Sequence, residues 1–256
     1  MTYSNGLKSV VSGYGTVKVS EVVSLTLKIL NLYAGIGGNR KLWGGDIRVT
    51  AVELDPEIAK IYQDFFPQDK VIVGDAHQYL LEHFEEYDFI WASPPCPTHS
   101  RIRFMASKKG SYAKVYPDMQ LYQEIIFLQH FAKCKWVVEN VISYYDPLII
   151  PFQVSRHYFW SNFVIPDKYV EQRNHNQVTG STQLYGVDLT KYKIKHRKDQ
   201  IIRNMVHPSL GKYVFDCAFK SKQIQLSEVK VADGTPTTND GIPPNTKVSG
   251  ILPMIL

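Results

Sequence analysis

Long apolar runs are missing from this sequence. Few stretches reach even eight apolar residues before a charge or turn former intervenes, against the about 18 to 20 that a membrane-spanning helix needs. Residues 1–20 also lack the basic start and apolar block of a secretory signal. Cysteine is scarce: Cys96, Cys134 and Cys217 are too few and too far apart for a disulfide framework or a zinc knuckle. No metal site is expected. No Walker lysine motif is present, which argues against ATP hydrolysis. There is no internal repeat, and the charge is not one-sided. Lys and Arg number 29 against 24 Asp and Glu, a net +5, which permits an acidic partner without demanding one.

What remains is an ordinary globular composition, 44% hydrophobic and 21% charged, which excludes a disordered tail protein and a fibrous repeat. A chain of 256 residues buries about 70% of its unfolded surface, and at about 150 residues per domain it makes one to two domains. A cytoplasmic location is expected, and the odd cysteine count leaves room for one reactive thiol.

Residues 1–26 read as an irregular arm with a strand near 10–20. From Lys28 onward, short apolar runs alternate with amphipathic stretches. The pattern predicts strands at Leu27–Tyr33, Arg48–Glu53, Lys70–Val73, Tyr87–Ala92 and Lys135–Val138. It predicts helices at Pro56–Phe66, with Pro in the first turn, and at Pro117–Lys133, with Met119, Tyr122, Ile126 and Phe127 on the apolar side. Strands separated by helices point to βαβ units and a mostly parallel α/β sheet. Residues 164–200 are polar and without period, and read as a small insert. Helical spacing returns over 201–219, and from Ser227 a Pro-, Thr- and Gly-rich tail follows.

Chemistry concentrates at the strand ends. Asn31-Leu32-Tyr33-Ala34-Gly35-Ile36-Gly37-Gly38 is a glycine turn where an open α/β sheet binds nucleotide-like cofactors. Its spacing is not the dinucleotide GxGxxG. Glu53 ends the second strand, 18 residues after Gly35, where a carboxylate accepts from ribose hydroxyls. Gly74-Asp75 ends the third, where Asp accepts from an adenine amino group. Ser93-Pro94-Pro95-Cys96-Pro97-Thr98-His99-Ser100 follows the fourth. Its prolines fix the backbone around a thiol, with His99, Arg101 and Arg103 close by and the basic Lys108-Lys109-Gly110-Ser111 beyond. Glu139-Asn140-Val141 ends the fifth strand and puts a carboxylate on the same crevice. Cys134 and Cys217 read as inert core.

In this order, these segments resemble the S-adenosylmethionine-dependent cytosine carbon-5 DNA methyltransferases, in a small form of phage or mobile-element type. The resemblance covers about 28–160 and resumes around 203–219. It implies a Rossmann-like class I methyltransferase sheet with helices on both faces, over 27–163 and 201–226, and a small target-recognition insert at 164–200. The arm 1–26 and the tail 227–256 stay unassigned. It implies S-adenosylmethionine along Tyr33, Ala34, Gly35, Ile36 and Gly37, with Glu53, Leu54, Asp75, Ala76, Pro94, Asn204 and Val206. The Cys96 thiolate would attack carbon 6 of a flipped cytosine, and Glu139 would contact ring nitrogen 3 and the exocyclic amine. Arg156 is the candidate base-pocket arginine, with His157 second. Ser100, Arg101, Arg103, Asn140, Arg173, Lys195 and Arg197 would face double-stranded DNA.

Four positions depart from the family pattern. Pro97 stands where Gln usually follows the cysteine, and His99 where an aromatic precedes the serine. The Gln153–Arg156 spacing does not match the later arginine motif. Arg203 replaces the glycine of the closing motif, here Arg203-Asn204-Met205-Val206-His207-Pro208.

Only about 43 residues separate Phe159 from Arg203, so the reader is short. It holds Gln172-Arg173-Asn174-His175-Asn176-Gln177, able to contact base edges, and five positive charges at Lys191, Lys193, Lys195, Arg197 and Lys198, suited to phosphates. A short reader points to a short target, weak specificity or help from a partner protein. The expected protein is a monomer in a bacterial or phage-infected cell, with restriction-modification among its roles. The same chemistry on tRNA, a catalytically silent DNA-binding relative, and an exocyclic amino-methyltransferase are the alternatives.

Overall fold

The computed structural model describes residues 26–168, 170 and 182–219. The expected strand near 10–20, the 172–177 segment with Arg173, and the tail lie outside these residues. Seven strands form one sheet: β1 (Leu27–Leu32), β2 (Ile47–Glu53), β3 (Lys70–Val73), β4 (Phe89–Ala92), β5 (Lys135–Val141), β6 (Phe152–Val154) and β7 (His157–Ser161). Their spatial order is β3-β2-β1-β4-β5-β7-β6. The first five pair in parallel and β7 is antiparallel to both neighbours. The chain order reverses between β1 and β4, the switch point at whose carboxyl ends an open α/β sheet forms its crevice.

Alternation along each strand supplies two cores. Ile29, Phe89, Trp91, Val137 and Phe159 bury one face, while Leu30, Leu32, Ile90, Ala92 and Val138 bury the other. The first face is covered by α6 (Pro208–Phe219) through Leu210, Val214 and Phe215, with Trp43 stacked on Phe215 at 5.0 Å. The second is covered by α2 (Ala76–His83) and α4 (Gln120–Phe131). A third cluster joins α1 (Pro56–Phe65) to α5 (Lys198–Asn204) and to the hairpin of β8 (Gln183–Leu184) and β9 (Val187–Asp188). The fold is α/β with helices on both faces of a mostly parallel sheet.

Several expectations change. The α4 helix buries Leu121, Tyr122, Ile125 and Leu128, whereas Met119, Ile126 and Phe131 are exposed. Residues 201–219 do not form one helix. Pro208 cannot continue the preceding turn and instead opens α6 at its first position. A helix not anticipated from the sequence, α3 (Arg101–Lys108), joins the thiol loop to the basic stretch 108–111.

Candidate active site

The glycine turn leaves β1 through alternating left-handed residues: Tyr33 at φ 54°, Gly35 at 53° and Gly37 at 79°. Glycine adopts this backbone freely, but a residue with a Cβ does so at roughly 1–2 kcal/mol. Tyr33 is thus the strained member. The space a Cβ on Gly35 would fill is open, while one on Gly38 would collide with the Met205 side chain and the Val206 carbonyl. That close approach seats the 205–206 turn beneath the crevice. Glu53 closes the turn by accepting from the Gly35 amide at 2.9 Å and the Asp55 amide at 3.0 Å. Asp75 caps α2, its Oδ1 accepting from the amides of His77 at 2.8 Å and Gln78 at 3.1 Å. Leu54 extends beyond β2 with 70% of its surface exposed. Ile36 turns away into the third core, and Ala34 and Ala76 are also buried, so these residues can line a cofactor only through backbone. Asn204 is exposed and accepts from Gln200 at 2.8 Å.

The thiol loop leaves β4 beside this turn. Cys96 O accepts from the His99 amide at 3.0 Å and the Ser100 amide at 3.1 Å, folding the loop back on itself. Thr98 Oγ1 accepts from the Asp118 amide at 3.0 Å. His99 is buried, with Nδ1 at 2.5 Å from the Tyr145 hydroxyl. Burial holds its pKa below the usual histidine value, so the ring is neutral at pH 7. The residue standing at the family's aromatic position is therefore a wall of the loop. Ser100 caps α3 and bridges to Ser143, whose carbonyl accepts from Arg101 Nε at 2.9 Å. The Arg103 guanidinium lies 4.9 Å over the Tyr112 ring. Asn140, expected to face nucleic acid, is turned inward. It is buried, and its amide donates to Pro94 O at 3.0 Å, bolting the loop to β5.

Glu139 lies on β5, the strand next to β4, with its side chain almost entirely buried. Its partner is His157 on β7, with Nδ1 at 2.6 Å from Oε1. Arg156 does not take that place. It is exposed in the β6–β7 turn and makes no hydrogen bond or ion pair to the described residues. The Cys96 pKa is pushed up to about 11, first by burial and then by the charge of Glu139. Thiol, carboxylate and imidazole thus follow one another across three adjacent strand ends.

The insert meets the core at α1. His196 Nε2 is 2.6 Å from Asp55 Oδ2, and the Lys195 amide donates to Glu57 at 3.0 Å. Burial works against the ionised Asp55, but the His196 hydrogen bond and the Ile58 and Glu57 amides outweigh it and hold its pKa below the usual value. Arg197 is exposed and forks onto Asp199. Neither the Glu139–His157 pair nor the Asp55–His196 contact is visible in residue spacing, because each joins segments far apart in the chain.

Residues 27–143 match the family model of the C-5 cytosine-specific DNA methylases. The match covers just under half of the chain, and the cofactor it implies is S-adenosylmethionine. No curated protein sequence matches the chain. Similar solved structures include a DNMT2 mutant from Spodoptera frugiperda, 24% identical, TM-score 0.33, covering 45% of this chain and 36% of that one. An SAM-dependent methyltransferase from Agrobacterium tumefaciens is 16% identical, TM-score 0.33, with 47% and 40% covered. A candidate DNA modification methyltransferase encoded within an Escherichia coli prophage is 17% identical, TM-score 0.36, with 53% and 46% covered. The chain spans less than half the length of each of these three.

The crevice suits S-adenosylmethionine. Gly35 leaves open space where the chain must approach a ligand closely. Both Glu53 oxygens already accept from amides and keep further lone pairs for ribose hydroxyls. Asp75 Oδ2 takes no hydrogen bond from the described residues and can accept from an amino group. Leu54 offers an uncovered apolar surface to a ring.

Proposed function

We propose that the chain is a DNA cytosine-5 methyltransferase acting on a flipped cytosine through a covalent Cys96 adduct. The observation that carries this reading is Cys96 and Glu139 at adjacent strand ends, with the carboxylate held by His157. Cys96 Sγ bonds to carbon 6 and its electron push makes carbon 5 nucleophilic. Glu139 meets ring nitrogen 3 and the exocyclic amine; its carboxylate takes the proton that the Cys96 thiol gives up and passes it to ring nitrogen 3, balancing the charge moving into the ring. His157 orients that carboxyl from the place expected of Arg156. Bound S-adenosylmethionine supplies the methyl group, along Tyr33 to Gly37 with Glu53, Leu54, Asp75, Pro94 and Val206. Loss of the carbon-5 proton then lets the carbon–sulfur bond break and frees Cys96.

Nucleic acid is met by the α3 side of the loop and by the insert. Arg101, Ile102, Met105 and Lys109 line a shallow hollow of about 400 Å³. Ser100 and Arg103 flank the thiol. Lys195 and Arg197 carry exposed charge toward phosphates.

Methyl transfer from labelled S-adenosylmethionine to cytosine-containing duplex DNA and to tRNA, run in parallel, tests the reading. We expect transfer to DNA, its loss by at least about a thousandfold in Cys96→Ala, and retained S-adenosylhomocysteine binding in that variant. A 5-fluorocytosine oligonucleotide should trap wild type covalently and leave Cys96→Ala free. Transfer by Cys96→Ala would overturn the mechanism, and transfer to tRNA alone would overturn the substrate.

A further inference from the structure

Three side chains meet behind the glycine turn. The Tyr33 hydroxyl donates to Glu124 Oε1, and His77 Nδ1 lies 3.0 Å from the same oxygen. Glu124 sits in the second turn of α4 and is fully buried. Its Oε2 has no hydrogen-bond partner among the described residues. The neighbours on that helix face, Leu121, Ile125 and Leu128, are apolar. A buried carboxyl among them weakens the core unless something else requires it.

The three groups belong to three elements. Tyr33 is in the turn after β1, His77 in the first turn of α2, and Glu124 in α4. The His77 amide also donates to Asp75 Oδ1, so whatever fixes His77 fixes the segment presenting Asp75. Tyr33 holds a left-handed backbone that bulky residues rarely keep unless the surroundings impose it. Its ring is only partly buried, and its hydroxyl bond to Glu124 anchors it. Burial first, then the charge of Glu124, hold that hydroxyl protonated, with Asp75 and Asp118 adding to the effect. It therefore remains a donor.

We propose that Glu124 is a positioning residue of the cofactor crevice, a buried acceptor that ties the strained Tyr33 turn to the start of the helix presenting Asp75. It acts through Tyr33 and His77 and touches no substrate. A cofactor lying along both segments binds a crevice whose two walls are set by one carboxylate.

The inference rests on the crevice being an S-adenosylmethionine site, and calorimetric titration of the full chain with S-adenosylhomocysteine separates the two. If wild type does not bind, that reading fails and the inference with it. With wild type binding, we expect Tyr33→Phe and Glu124→Met each to raise Kd about tenfold, and the double variant to be no weaker than either, because one shared interaction is removed. Glu124→Gln keeps an acceptor oxygen and should stay within about threefold of wild type. An unchanged Kd in Tyr33→Phe overturns the inference even if Glu124→Met does not fold. Losses that multiply to about a hundredfold in the double variant overturn it equally.

Discussion

Cys96 rests as a thiol. With its pKa near 11, on the order of one molecule in ten thousand carries thiolate at pH 7. Burial is the larger cause and the Glu139 charge the smaller. In the proposed reaction, a cytosine whose exocyclic amine donates to Glu139 would draw on that charge as carbon 6 reaches the sulfur, so the target itself would weaken the smaller cause. The sign of this coupling is open to measurement. Glu139→Gln deletes a negative charge, lowers the Cys96 pKa and raises the thiolate fraction. Alkylation of Cys96 without nucleic acid, followed by peptide mass mapping, should quicken roughly three- to tenfold in this variant. Methyl transfer by the same variant should fall. An unchanged alkylation rate would leave burial as the sole brake on the thiol.

Helix packing around the glycine turn is close enough to reverse an ordinary rule. Replacing a helical glycine with alanine usually stabilises by up to about 1 kcal/mol. In α6, a Cβ on Gly211 would sit 2.5 Å from Asn39 Cα and 2.8 Å from its carbonyl carbon, with the Asn39 side chain bonded to Asn31 at 2.7 Å. We expect Gly211→Ala to lower the thermal midpoint, by an amount matching the roughly 1–3 kcal/mol of an overpacked core. A raised midpoint would show that α6 can slide. Such close approaches mark where the sequence stops being legible. The strands β1 to β5 can be read because they are short apolar runs, of the kind a parallel sheet buries on both faces, that stop at turn-forming or acidic residues, and β3 falls at the expected residues. The α4 face misleads because Ile126 and Phe131 are apolar but exposed, while the charged Glu124 is buried. The α3 helix buries no residue, so it leaves no periodic trace. Cys96 and Glu139 can be read as strand-end residues. His157 ranks behind Arg156 in the sequence, because only the β5–β7 register decides which of two neighbours faces Glu139.

Across the molecule, the insert's basic segment is laid down with a fixed orientation. Tyr192 and Ile194 pack toward the third core, while Lys191, Lys193 and Lys195 between them are exposed. Alternation therefore turns three ammonium groups outward along one edge. Changing these three to Gln should weaken nucleic-acid binding and flatten its salt dependence, by about 0.9 in the log–log slope for each phosphate no longer neutralised. S-adenosylhomocysteine affinity should not move. An unaltered slope in filter binding across a salt series would relieve this edge of any part in phosphate binding. The two cores on the faces of the sheet carry a different consequence. All four tryptophans of the chain, Trp43, Trp91, Trp136 and Trp160, are buried at 5% exposure or less, and the glycine turn and thiol loop hold none. Intrinsic tryptophan emission therefore reports the integrity of the sheet and its covering helices. It shifts when the protein unfolds, so one optical signal can show that a binding-deficient variant is still folded.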